Sequence, residues 1–356
     1  MTKFAFIIHP LKAKDAAKKY KVLRYLPDGA LEALMGRMKP LVASEVTGVT
    51  SITGAKTEGI FIGLPMTPHM FMSRPLEETY DRLAACCDLA FREGAQIIGL
   101  GAFTSVVGDG GLTVAKRANI AVTTGNSYTV ATAIEGALDA ARRVGVKFEE
   151  STLAVVGATG SIGKTCALAM GPMFAKTLVV GRDLARAQAL AAQLPRAEGR
   201  VDVECLREAD VVVTVTSSES DLIFPEHLKV GAVVCDVARP RDVSIRVVKE
   251  RPDVLVIEGG VVRVPGTPDF GIDFGFPKGT AYACMCETMM LALDDRPESL
   301  TLGKDVTLEQ VETTRQLATK HGFTLEGYRS FERAVNEESI DRVRVFREQA
   351  RLTPVR

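Results

Sequence analysis

Short apolar runs alternate with amphipathic stretches along the first part of the chain. "FAFII" (residues 4–8) and "EGIFIGL" (58–64) predict strands, with a helix between them at "DGALEALMGRM". In "LEETYDRLAACCDLAFRE" (76–93) apolar positions recur at helical spacing, and the strands "AQIIGLGAF" and "NIAVTTGN" follow. A further helix is expected from Tyr128 to Val144. This rhythm predicts an N-terminal α/β domain over residues 1–150.

β-branched runs alternate with helical stretches from Thr152 onward. Strands are predicted at "TLAVVGA", "TLVVGR", "ADVVVTV", "GAVVCDVA" and "VLVIEGG". Such alternation calls for helices on both faces of a parallel sheet, so we expect a Rossmann-type doubly wound domain over residues 151–278. Residues 279–356 are interpreted as C-terminal helices that pack back on the N-terminal domain. The predicted fold class is therefore α/β with two domains.

The composition is that of a globular, enzyme-sized protein. Of 356 residues, 46% are hydrophobic and 25% are charged, and the length exceeds the usual size of a single core. Lys plus Arg and Asp plus Glu are equal at 44 each, which removes a global electrostatic argument for nucleic acid as a partner. The N-terminal apolar run is too short for a signal peptide, and no apolar run is long enough to span a membrane. We therefore expect a cytoplasmic protein.

Cysteine and histidine usage argues against disulfides and metal sites. The chain has 7 cysteines, an odd number that includes an adjacent pair and no CxxC spacing, which is typical of reduced thiols. Its 4 histidines are scattered without the spacing of zinc ligands. A metal-independent chemistry is expected.

The stretch "GATGSIGKT" fits two incompatible motifs between a predicted strand and a predicted helix. Gly157, Gly160 and Gly163 satisfy a GxxGxxG dinucleotide fingerprint. Ala158 through Thr165 satisfy the phosphate loop of nucleotide hydrolases if Ala replaces its first glycine. Both motifs bind phosphate through backbone N–H groups at a helix N-terminus, so the surrounding residues must decide between them.

The surrounding residues favour the dinucleotide. The next strand ends in "VVGRD", where dinucleotide folds recognise the ribose, and Arg182 suits the 2′-phosphate of NADPH. Asp183 is interpreted as the N-cap of the following helix. In the hydrolase alternative, Lys164, Thr165 and Asp236 would contact phosphate and magnesium. The predicted cofactor-binding residues are Gly157, Thr159, Gly160, Ser161, Ile162, Gly163, Arg182, Ser217 and Gly260.

Beyond the glycine loop, the chain resembles the cyanobacterial-type long-chain fatty acyl-[acyl carrier protein] reductases. The resembling stretches keep their order over residues 4–325. The position that matches Lys164 is not a lysine in that family, so the resemblance makes the phosphate-loop match accidental. These stretches are "VTGVTSITGAKTEGIFIGLP", "IIGLGAFTSVVG", "VTTGNSYTVATAIE", "VVGATGSIG", "ADVVVTVTSS", "VVCDVARPRDV", "IEGGVV" and "AYACMCE".

The resemblance implies a thioester reductase that forms a cysteine acyl-enzyme, uses NADPH and releases a fatty aldehyde. The family's nucleophile falls on Cys284 in "YACMCE", and Cys286 stands where the family tends to have a small non-thiol residue. Acyl carrier protein or coenzyme A would supply the acyl group, which the N-terminal domain would bind. The chain departs from the family where "GDG" (108–110) replaces an acidic "FEE" stretch, which leaves the acyl-chain preference open.

The position of Cys284 supports this role independently of the resemblance. Gly279 and Thr280 are expected to start the helix, with Thr280 as N-cap, so Cys284 lies in the first turn, where backbone N–H groups favour a thiolate. Cys286 lies about 200° further around the helix and would face the core. An ordinary buried cysteine is the alternative for Cys284, and the core interpretation is preferred for every other cysteine.

Polar groups for the reaction are sought where predicted parallel strands end. Thr124 and Asn126 in the "TTGN" turn are candidate catalytic residues that would stabilise an oxyanion, with a plain capping turn as the alternative. Ser217 and Gly260 follow later strands and are assigned to the nicotinamide side. His9 resembles a family histidine, but a structural role is preferred.

Other stretches have weaker functional interpretations. Core packing is preferred for Tyr282, and "PMTPHMFMS" is a candidate wall of an acyl tunnel. The basic segment "DRVRVFREQARLTPVR" is a candidate docking helix for an acidic acyl carrier protein or for peripheral contact with an anionic membrane, although a solvated face is preferred. Its arginines are Arg342, Arg344, Arg347, Arg351 and Arg356.

Three rival functions remain open at this level. An NADP-dependent alcohol dehydrogenase of the shikimate type would share the architecture and need no thiol. A nucleotide hydrolase would use Lys164, and a non-catalytic NADPH-binding sensor would leave Cys284 merely buried. Acyl length, the choice of carrier and homo-oligomer formation are not determined by the sequence.

Overall fold

A computed structural model describes residues 1–16, 25–218, 220–238, 240–331 and 333–352. The chain folds into two compact units, each built from several segments. The first unit consists of Met1–Tyr128, Val262–Asp305 and Thr313–Thr324, and the second consists of Thr129–Val261, Val306–Glu312 and the described residues from Leu325 onward.

Helices and strands alternate through most of the described chain. The helices are α1 Ala13–Ala16, α2 Asp28–Met35, α3 Pro68–Ser73, α4 Leu76–Arg92, α5 Phe103–Val106, α6 Leu112–Arg117, α7 Asn126–Arg143, α8 Ser161–Met170, α9 Leu184–Ala191, α10 Ile245–Glu250, α11 Ala283–Leu293, α12 Leu308–His321 and α13 Glu337–Leu352. The strands are β1 Phe4–Ile8, β2 Leu41–Thr50, β3 Lys56–Gly63, β4 Ile97–Gly99, β5 Ala121–Thr123, β6 Thr152–Val156, β7 Lys176–Val180, β8 Ala197–Arg200, β9 Val211–Thr214, β10 Val233–Asp236, β11 Leu255–Glu258, β12 Val261–Arg263, β13 Gly266–Asp269, β14 Thr280–Tyr282, β15 Thr324–Leu325, β16 Arg329–Ser330 and β17 Arg333–Ala334.

The first unit contains a mixed sheet in the order β13-β2-β3-β1-β4-β5. β3, β1, β4 and β5 run parallel, whereas β2 pairs antiparallel with β3 and β13 pairs antiparallel with β2. The apolar side chains of β1 alternate between two faces, so Ile7 joins the core beneath α4 while Phe6 lies on the α11 side. The predicted strand at residues 4–8 and helix at 76–93 are confirmed.

The second unit contains a parallel sheet in the order β8-β7-β6-β9-β10-β11. Counted along the chain, this is the third, second, first, fourth, fifth and sixth strand, which is the order of the dinucleotide-binding Rossmann fold. The predicted doubly wound sheet is thereby confirmed. β8 was not predicted, because its sequence "AEGR" is polar and half-buried at the sheet edge.

The two units do not follow the expected boundaries at residues 150 and 278. The first unit ends at Tyr128 inside α7, and Ala133 beyond it packs beside Cys235 of β10 in the second unit. The chain returns to the first unit from Val262, because β13 pairs with β2. Sequence periodicity predicts that a segment is helical or extended, but not which sheet it packs against.

The C-terminal helices also divide between the units, contrary to the expectation that all of them pack on the N-terminal domain. α11 belongs to the first unit and α13 to the second. α13 is anchored by Arg347, which is 5% exposed and forms a 2.9 Å ion pair with Asp210. Arg347 is therefore neither a docking residue nor part of a solvated face. Both sequence-based interpretations of this residue are wrong. Arg356 lies outside the described residues.

The Arg347 anchor is expected to contribute to the stability of the second unit. Replacing Arg347 with Ala should lower its free energy of unfolding by about 2 kcal/mol, because the buried Asp210 carboxylate loses one of its two cationic partners and keeps Lys229. Urea unfolding followed by circular dichroism measures this loss. Arg344, which pairs with Asp341 on the exposed face of α13, is the matched control, and Arg344→Ala should change little. Equal losses in the two variants would contradict the buried anchor.

The same ion pair predicts a pH dependence. Burial raises the pKa of the Asp210 carboxyl, but the hydrogen bonds from Lys229 and from the Thr152 N–H, together with the Arg347 charge, outweigh it and lower the pKa. A lowered carboxyl pKa stabilises the fold at pH values above the ordinary carboxyl range. This contribution is lost as the pH falls through the folded-state value, and the Arg347→Ala variant should show a smaller acid sensitivity.

Within the described residues, no helix combines the length and the apolar character that are needed to cross a bilayer. The same residues contain no group of three or more His, Cys, Asp or Glu side chains that could hold a metal ion. The candidate site is therefore sought among the cysteines, the glycine turns and the polar groups at the strand ends.

Candidate active site

Cys284 is the second residue of α11, closer to the helix start than expected. The N-cap position is Tyr282, and the predicted cap, Thr280, instead belongs to the extended segment β14. Val264 N–H donates to Gly279 O at 2.9 Å, and Thr280 Oγ1 donates to Pro277 O at 2.7 Å. These bonds hold the chain extended up to Tyr282, so the helix begins later. The expected placement of Cys284 in the first helical turn is confirmed.

Exposure separates Cys284 from the other cysteines. Cys284 is partly exposed, whereas the remaining six are buried. Burial raises the pKa of the Cys166 thiol to about 12 and holds the pKa of the Cys286 thiol well above its usual value. Cys286 is fully buried, as its place on the core side of the helix predicted. Because a thiolate is the nucleophilic form of cysteine, the buried thiols are chemically inert in comparison.

Two glycines bring Cys284 against the carboxyl ends of β4 and β5. A Cβ atom added to Gly101, which lies just beyond β4, would stand 3.6 Å from the Cys284 Sγ. A Cβ atom added to Gly125, beyond β5, would lie 2.4 Å from the Cys284 Cα, and Gly125 has a φ of +72°. No side chain fits at Gly125. The absence of side chains therefore allows the start of α11 to approach this edge of the sheet, where ligands bind in parallel sheets.

The "TTGN" turn beside Cys284 is buried and internally bonded. Thr124 N–H donates to Thr301 O at 2.9 Å, and the Thr124 hydroxyl donates to the same oxygen at 3.2 Å. Asn126, 4% exposed, is the first residue of α7 and donates its N–H to Thr124 Oγ1 at 3.4 Å. The Thr124 hydroxyl thus makes the contacts of a plain capping turn, which was the alternative to a catalytic role. A role of Thr124 and Asn126 toward a substrate stays a prediction.

Glu287 is a buried polar residue that the sequence interpretation did not single out. It lies one helical turn after Cys284, is fully buried, and accepts hydrogen bonds from Thr123 Oγ1 at 2.6 Å and Ser127 Oγ at 2.7 Å. Its only sequence signal is a charged residue within the otherwise apolar run "AYACMCETMMLAL". An acid in such a run indicates a satisfied buried carboxylate.

His9 follows β1 at the same edge of the first sheet. Its ring packs edge-on against Phe71 and Phe103, with centroid distances of 5.2 and 6.3 Å. Burial lowers the pKa of His9 to about 4, although a hydrogen bond to Pro10 O opposes this, so the ring is neutral near pH 7. Nδ1 lies 3.2 Å from Pro10 O, and Nε2 is buried without a hydrogen-bond partner among the described residues.

The remaining predictions for the first unit have mixed outcomes. In the "PMTPHMFMS" stretch, Met66, Met70 and Phe71 are buried in the core beneath the sheet. Tyr282 is not core, because it is partly exposed at the N-cap and packs edge-on against Phe276 at 4.6 Å. In the "GDG" segment, Asp109 accepts hydrogen bonds from the N–H and the hydroxyl of Thr113, which is a capping role.

In the second unit, the glycine turn joins β6 to α8. Gly157 has a φ of +80°, and Gly160 N–H donates to Gly157 O at 3.0 Å. A Cβ atom on Gly163 would lie 2.4 Å from Gly157 O. The turn therefore depends on its glycines, leaves the backbone accessible at the start of α8 and fits a dinucleotide pyrophosphate. Ser161 Oγ, at this helix start, is buried without a hydrogen-bond partner among the described residues.

The phosphate-loop interpretation fails on the neighbouring side chains. Thr165, which would contact magnesium, is 2% exposed and donates its hydroxyl to Val306 O at 2.7 Å. Asp236, the candidate acid of the hydrolase, accepts hydrogen bonds from the backbone N–H groups of Ala238, Asp242 and Val243. Both side chains are thus engaged in hydrogen bonds with the backbone of the fold, which favours the dinucleotide-binding interpretation of the glycine turn.

The other predicted cofactor contacts lie at carboxyl ends of strands in the same sheet. Arg182 is exposed beyond β7, and Asp183 N-caps α9 by accepting from Arg186 N–H at 3.1 Å, as predicted. Ser217 is exposed beyond β9, the strand next to β6 on the side where the strand order reverses. Gly260 follows β11 at the sheet edge, about 14 Å from β6 at ~4.8 Å per strand. Thr159 packs against Gly181, and Ile162 is partly exposed in the first turn of α8.

A family model that matches within the second unit agrees with this geometry, and a shorter sequence match points to the same type of protein. The family model of shikimate and quinate 5-dehydrogenases matches residues 139–258. A glutamyl-tRNA reductase of Streptococcus sanguinis is 34% identical over 102 residues, which cover 28% of this chain and 24% of that protein. These matches support a nicotinamide-dinucleotide-binding domain of the reductase and dehydrogenase type in the second unit.

Two relatives match nearly the whole chain. A long-chain acyl-[acyl-carrier-protein] reductase of Synechococcus elongatus is 27% identical over 331 residues, covering 88% of this chain and 94% of that protein. The aminotransferase PigE of a Serratia species is 30% identical over 360 residues, covering 97% of this chain. The chain spans only 41% of the length of PigE, so the activity in that name does not transfer to it.

Proposed function

We propose that the chain reduces a fatty acyl thioester to the fatty aldehyde through an acyl-enzyme on Cys284, with NADPH as the reductant. The observation that carries the proposal is the placement of Cys284, a partly exposed thiol in the first turn of α11 against glycines at the carboxyl edge of a parallel sheet. The similarity to an acyl-[acyl-carrier-protein] reductase over 88% of the chain supports the substrate class.

The proposed chemistry proceeds in two stages. The Cys284 thiolate attacks the thioester carbonyl, a new C–S bond forms, and the carrier leaves as a thiol after taking up a proton. Bound NADPH would supply a hydride to the acyl carbon, which becomes a thiohemiacetal once its oxygen is protonated. Collapse of the thiohemiacetal releases the aldehyde and restores the Cys284 thiol. The net reaction consumes one NADPH and one proton for each acyl thioester.

Both stages develop negative charge on the carbonyl oxygen, and the chain offers donors beside Cys284. α11 begins at Ala283, so the positive end of its helix dipole lies at Cys284. Asn126 lies at the start of α7, in the turn that packs on Cys284. These groups are the proposed oxyanion donors, and the bonds of Thr124 to Thr301 hold the turn in place.

The experiment that tests this function is mass spectrometry of the intact protein after incubation with a long-chain acyl-CoA in the absence of NADPH. One acyl adduct per chain is expected, and peptide mapping should place it on Cys284. Acyl carrier protein loaded with the same chain gives the comparison between carriers. A protein that stays unmodified with both donors would contradict the acyl-enzyme and favour the shikimate-type alcohol dehydrogenase or a cofactor sensor.

The cofactor choice is tested at Arg182, which is exposed beyond β7. Arg182→Ala should raise the Kd for NADPH by about 10- to 100-fold and leave the Kd for NADH nearly unchanged, because a charge-assisted hydrogen bond to the 2′-phosphate is lost. Fluorescence titration of the two cofactors measures both constants, and NADH serves as the internal control. An equal loss for both cofactors would show that Arg182 does not distinguish them.

A further inference from the structure

We propose that Glu287 is a positioning residue for the proposed reaction, holding the Thr123–Tyr128 turn against Cys284. The inference rests on the proposed function, because the importance of this turn depends on chemistry at Cys284. Glu287 ends the quoted stretch "AYACMCE", but neither the motifs nor the comparisons give it a role.

The Glu287 carboxylate binds both ends of the turn. Thr123 Oγ1, at the start of the turn, donates to Oε1 at 2.6 Å. At the other end, Ser127 Oγ donates to Oε2 at 2.7 Å, and the Tyr128 N–H donates to the same oxygen at 3.0 Å. Gly125 lies between these attachment points. One side chain thus closes a loop whose centre packs on Cys284.

A second layer of hydrogen bonds orients these donors. Thr301 N–H donates to Thr123 Oγ1 at 3.2 Å, so the Thr123 hydroxyl proton is left to point at Glu287. Thr301 Oγ1 lies 2.6 Å from Ser127 Oγ and donates to it, since the Ser127 proton is used for Glu287. All these bonds run toward an acceptor-only carboxylate. A glutamine in place of Glu287 would point its amide N–H₂ group, a donor, at one of these hydroxyl or N–H donors.

The location of Glu287 on α11 couples the turn to the nucleophile. Glu287 is one turn further along the helix than Cys284, so the carboxylate and the thiol are held on one rigid element. Gly125 leaves no room for a side chain between the turn and the Cys284 Cα. A shift of the turn therefore changes the distance between the Cys284 Sγ and the proposed donor Asn126.

A buried carboxylate is costly to desolvate, and a packed apolar residue of similar volume would often stabilise a fold as well. If Glu287 had only a structural role, its replacement would change the free energy of unfolding and leave the kcat of the folded protein unchanged. A positioning residue would lower kcat beyond any loss of stability, because misplacement by about 1 Å costs about 10²-fold in rate.

Glu287→Gln is the test variant, and Asp294→Asn is its control. Asp294 directly follows α11, is nearly buried, and accepts hydrogen bonds from Lys320 and from His321 Nε2 at 3.1 Å. It is also a charged group held by partners, but lies about 15 Å from Cys284 along the helix axis at 1.5 Å per residue. Both variants remove one charge and keep the side-chain shape.

Three readouts are compared between the two variants and the native chain: kcat and KM for acyl-CoA reduction, the rate of Cys284 alkylation by iodoacetamide across pH, and Tm. For Glu287→Gln we expect kcat to fall about 10²-fold with KM changed much less. We also expect the pH dependence of the Cys284 alkylation rate to differ from that of the native chain. For Asp294→Asn we expect a lower Tm with kcat and alkylation near the native values. A native-like kcat in Glu287→Gln, or an equal fall in both variants, would overturn the proposal.

A second pair of variants keeps the test valid if Glu287→Gln does not fold. Thr123→Ser retains the hydroxyl that donates to Glu287, and Thr123→Val removes it at nearly unchanged size. The valine variant should lose kcat while the serine variant retains it, and equal rates would overturn the proposal. If the native protein takes up no acyl group, the proposed function fails, whereas the alkylation rates still report whether Glu287 controls the Cys284 thiol.

Discussion

Replacing Cys284 with Ala is expected to lower NADPH-dependent reduction of acyl thioesters by about 10³-fold or more, because removing the nucleophile eliminates the covalent route. The same variant should take up no acyl group from acyl-CoA. Binding of NADPH should change little, since the glycine turn proposed to hold its pyrophosphate does not include Cys284. Initial rates followed at the absorbance of the reduced nicotinamide measure the loss.

Cys286→Ala is the matched control, since it removes a thiol two residues away on the same helix. Cys286 is fully buried, so its loss leaves a small cavity and lowers Tm slightly, while activity stays near the native value. If Cys284→Ala retained near-native turnover, the acyl-enzyme would be wrong and an alcohol dehydrogenase of the shikimate type would become the better assignment. If both variants lost activity equally, a general effect on α11 would explain the result.

Replacing Gly163 with Ala is expected to raise the Kd for NADPH by about 10²-fold or more. The added Cβ would lie 2.4 Å from Gly157 O, so the turn must open and the backbone N–H groups leave the position that the pyrophosphate requires. Losing two charge-assisted hydrogen bonds accounts for an effect of this size. Fluorescence titration with NADPH measures it, and a thermal melt of the same sample checks that the second unit is folded.

Gly136→Ala in α7 is the control, because the nearest atom to its added Cβ is 3.8 Å away on Ile257. This substitution should leave the Kd unchanged and increase stability slightly, as alanine is the better helix former. Unchanged NADPH affinity in Gly163→Ala would mean that the glycine turn does not bind the cofactor. Magnesium-dependent ATP hydrolysis that disappears in Lys164→Ala would instead support the nucleotide hydrolase.

Several features of the fold were predictable because they depend on neighbours in the chain. β1 and α4 match the predicted segments, since a run of apolar residues or a helical repeat reports its own conformation. The Asp183 cap and the glycine turn were equally local, because capping and a positive φ are properties of one or two residues. In contrast, β2 was missed, since polar and apolar residues are mixed along it and only Val46 and Val49 are buried.

The candidate site was only partly predictable for the same reason. Cys284 was found through the resemblance to the acyl-[acyl carrier protein] reductases and through its expected place in the first turn of a helix, where backbone N–H groups favour a thiolate. Glu287 was missed, because its function depends on contacts with Thr123 and Ser127, far away in the sequence. The N-cap was placed at Thr280 instead of Tyr282, since the pairing that keeps this segment extended involves residues outside the motif.

The sequence by itself determined the alternation of strands and helices, the dinucleotide turn around Gly157 and the position of Cys284 near a helix start. Each follows from short-range sterics, hydrogen bonding and periodicity. Only the tertiary structure decided that β13 joins the first sheet, that α13 is anchored through Arg347 in the second unit, and that one buried carboxylate ties the Thr123–Tyr128 turn to α11. These are pairings between distant segments, and they depend on which surfaces fit together once the chain has folded.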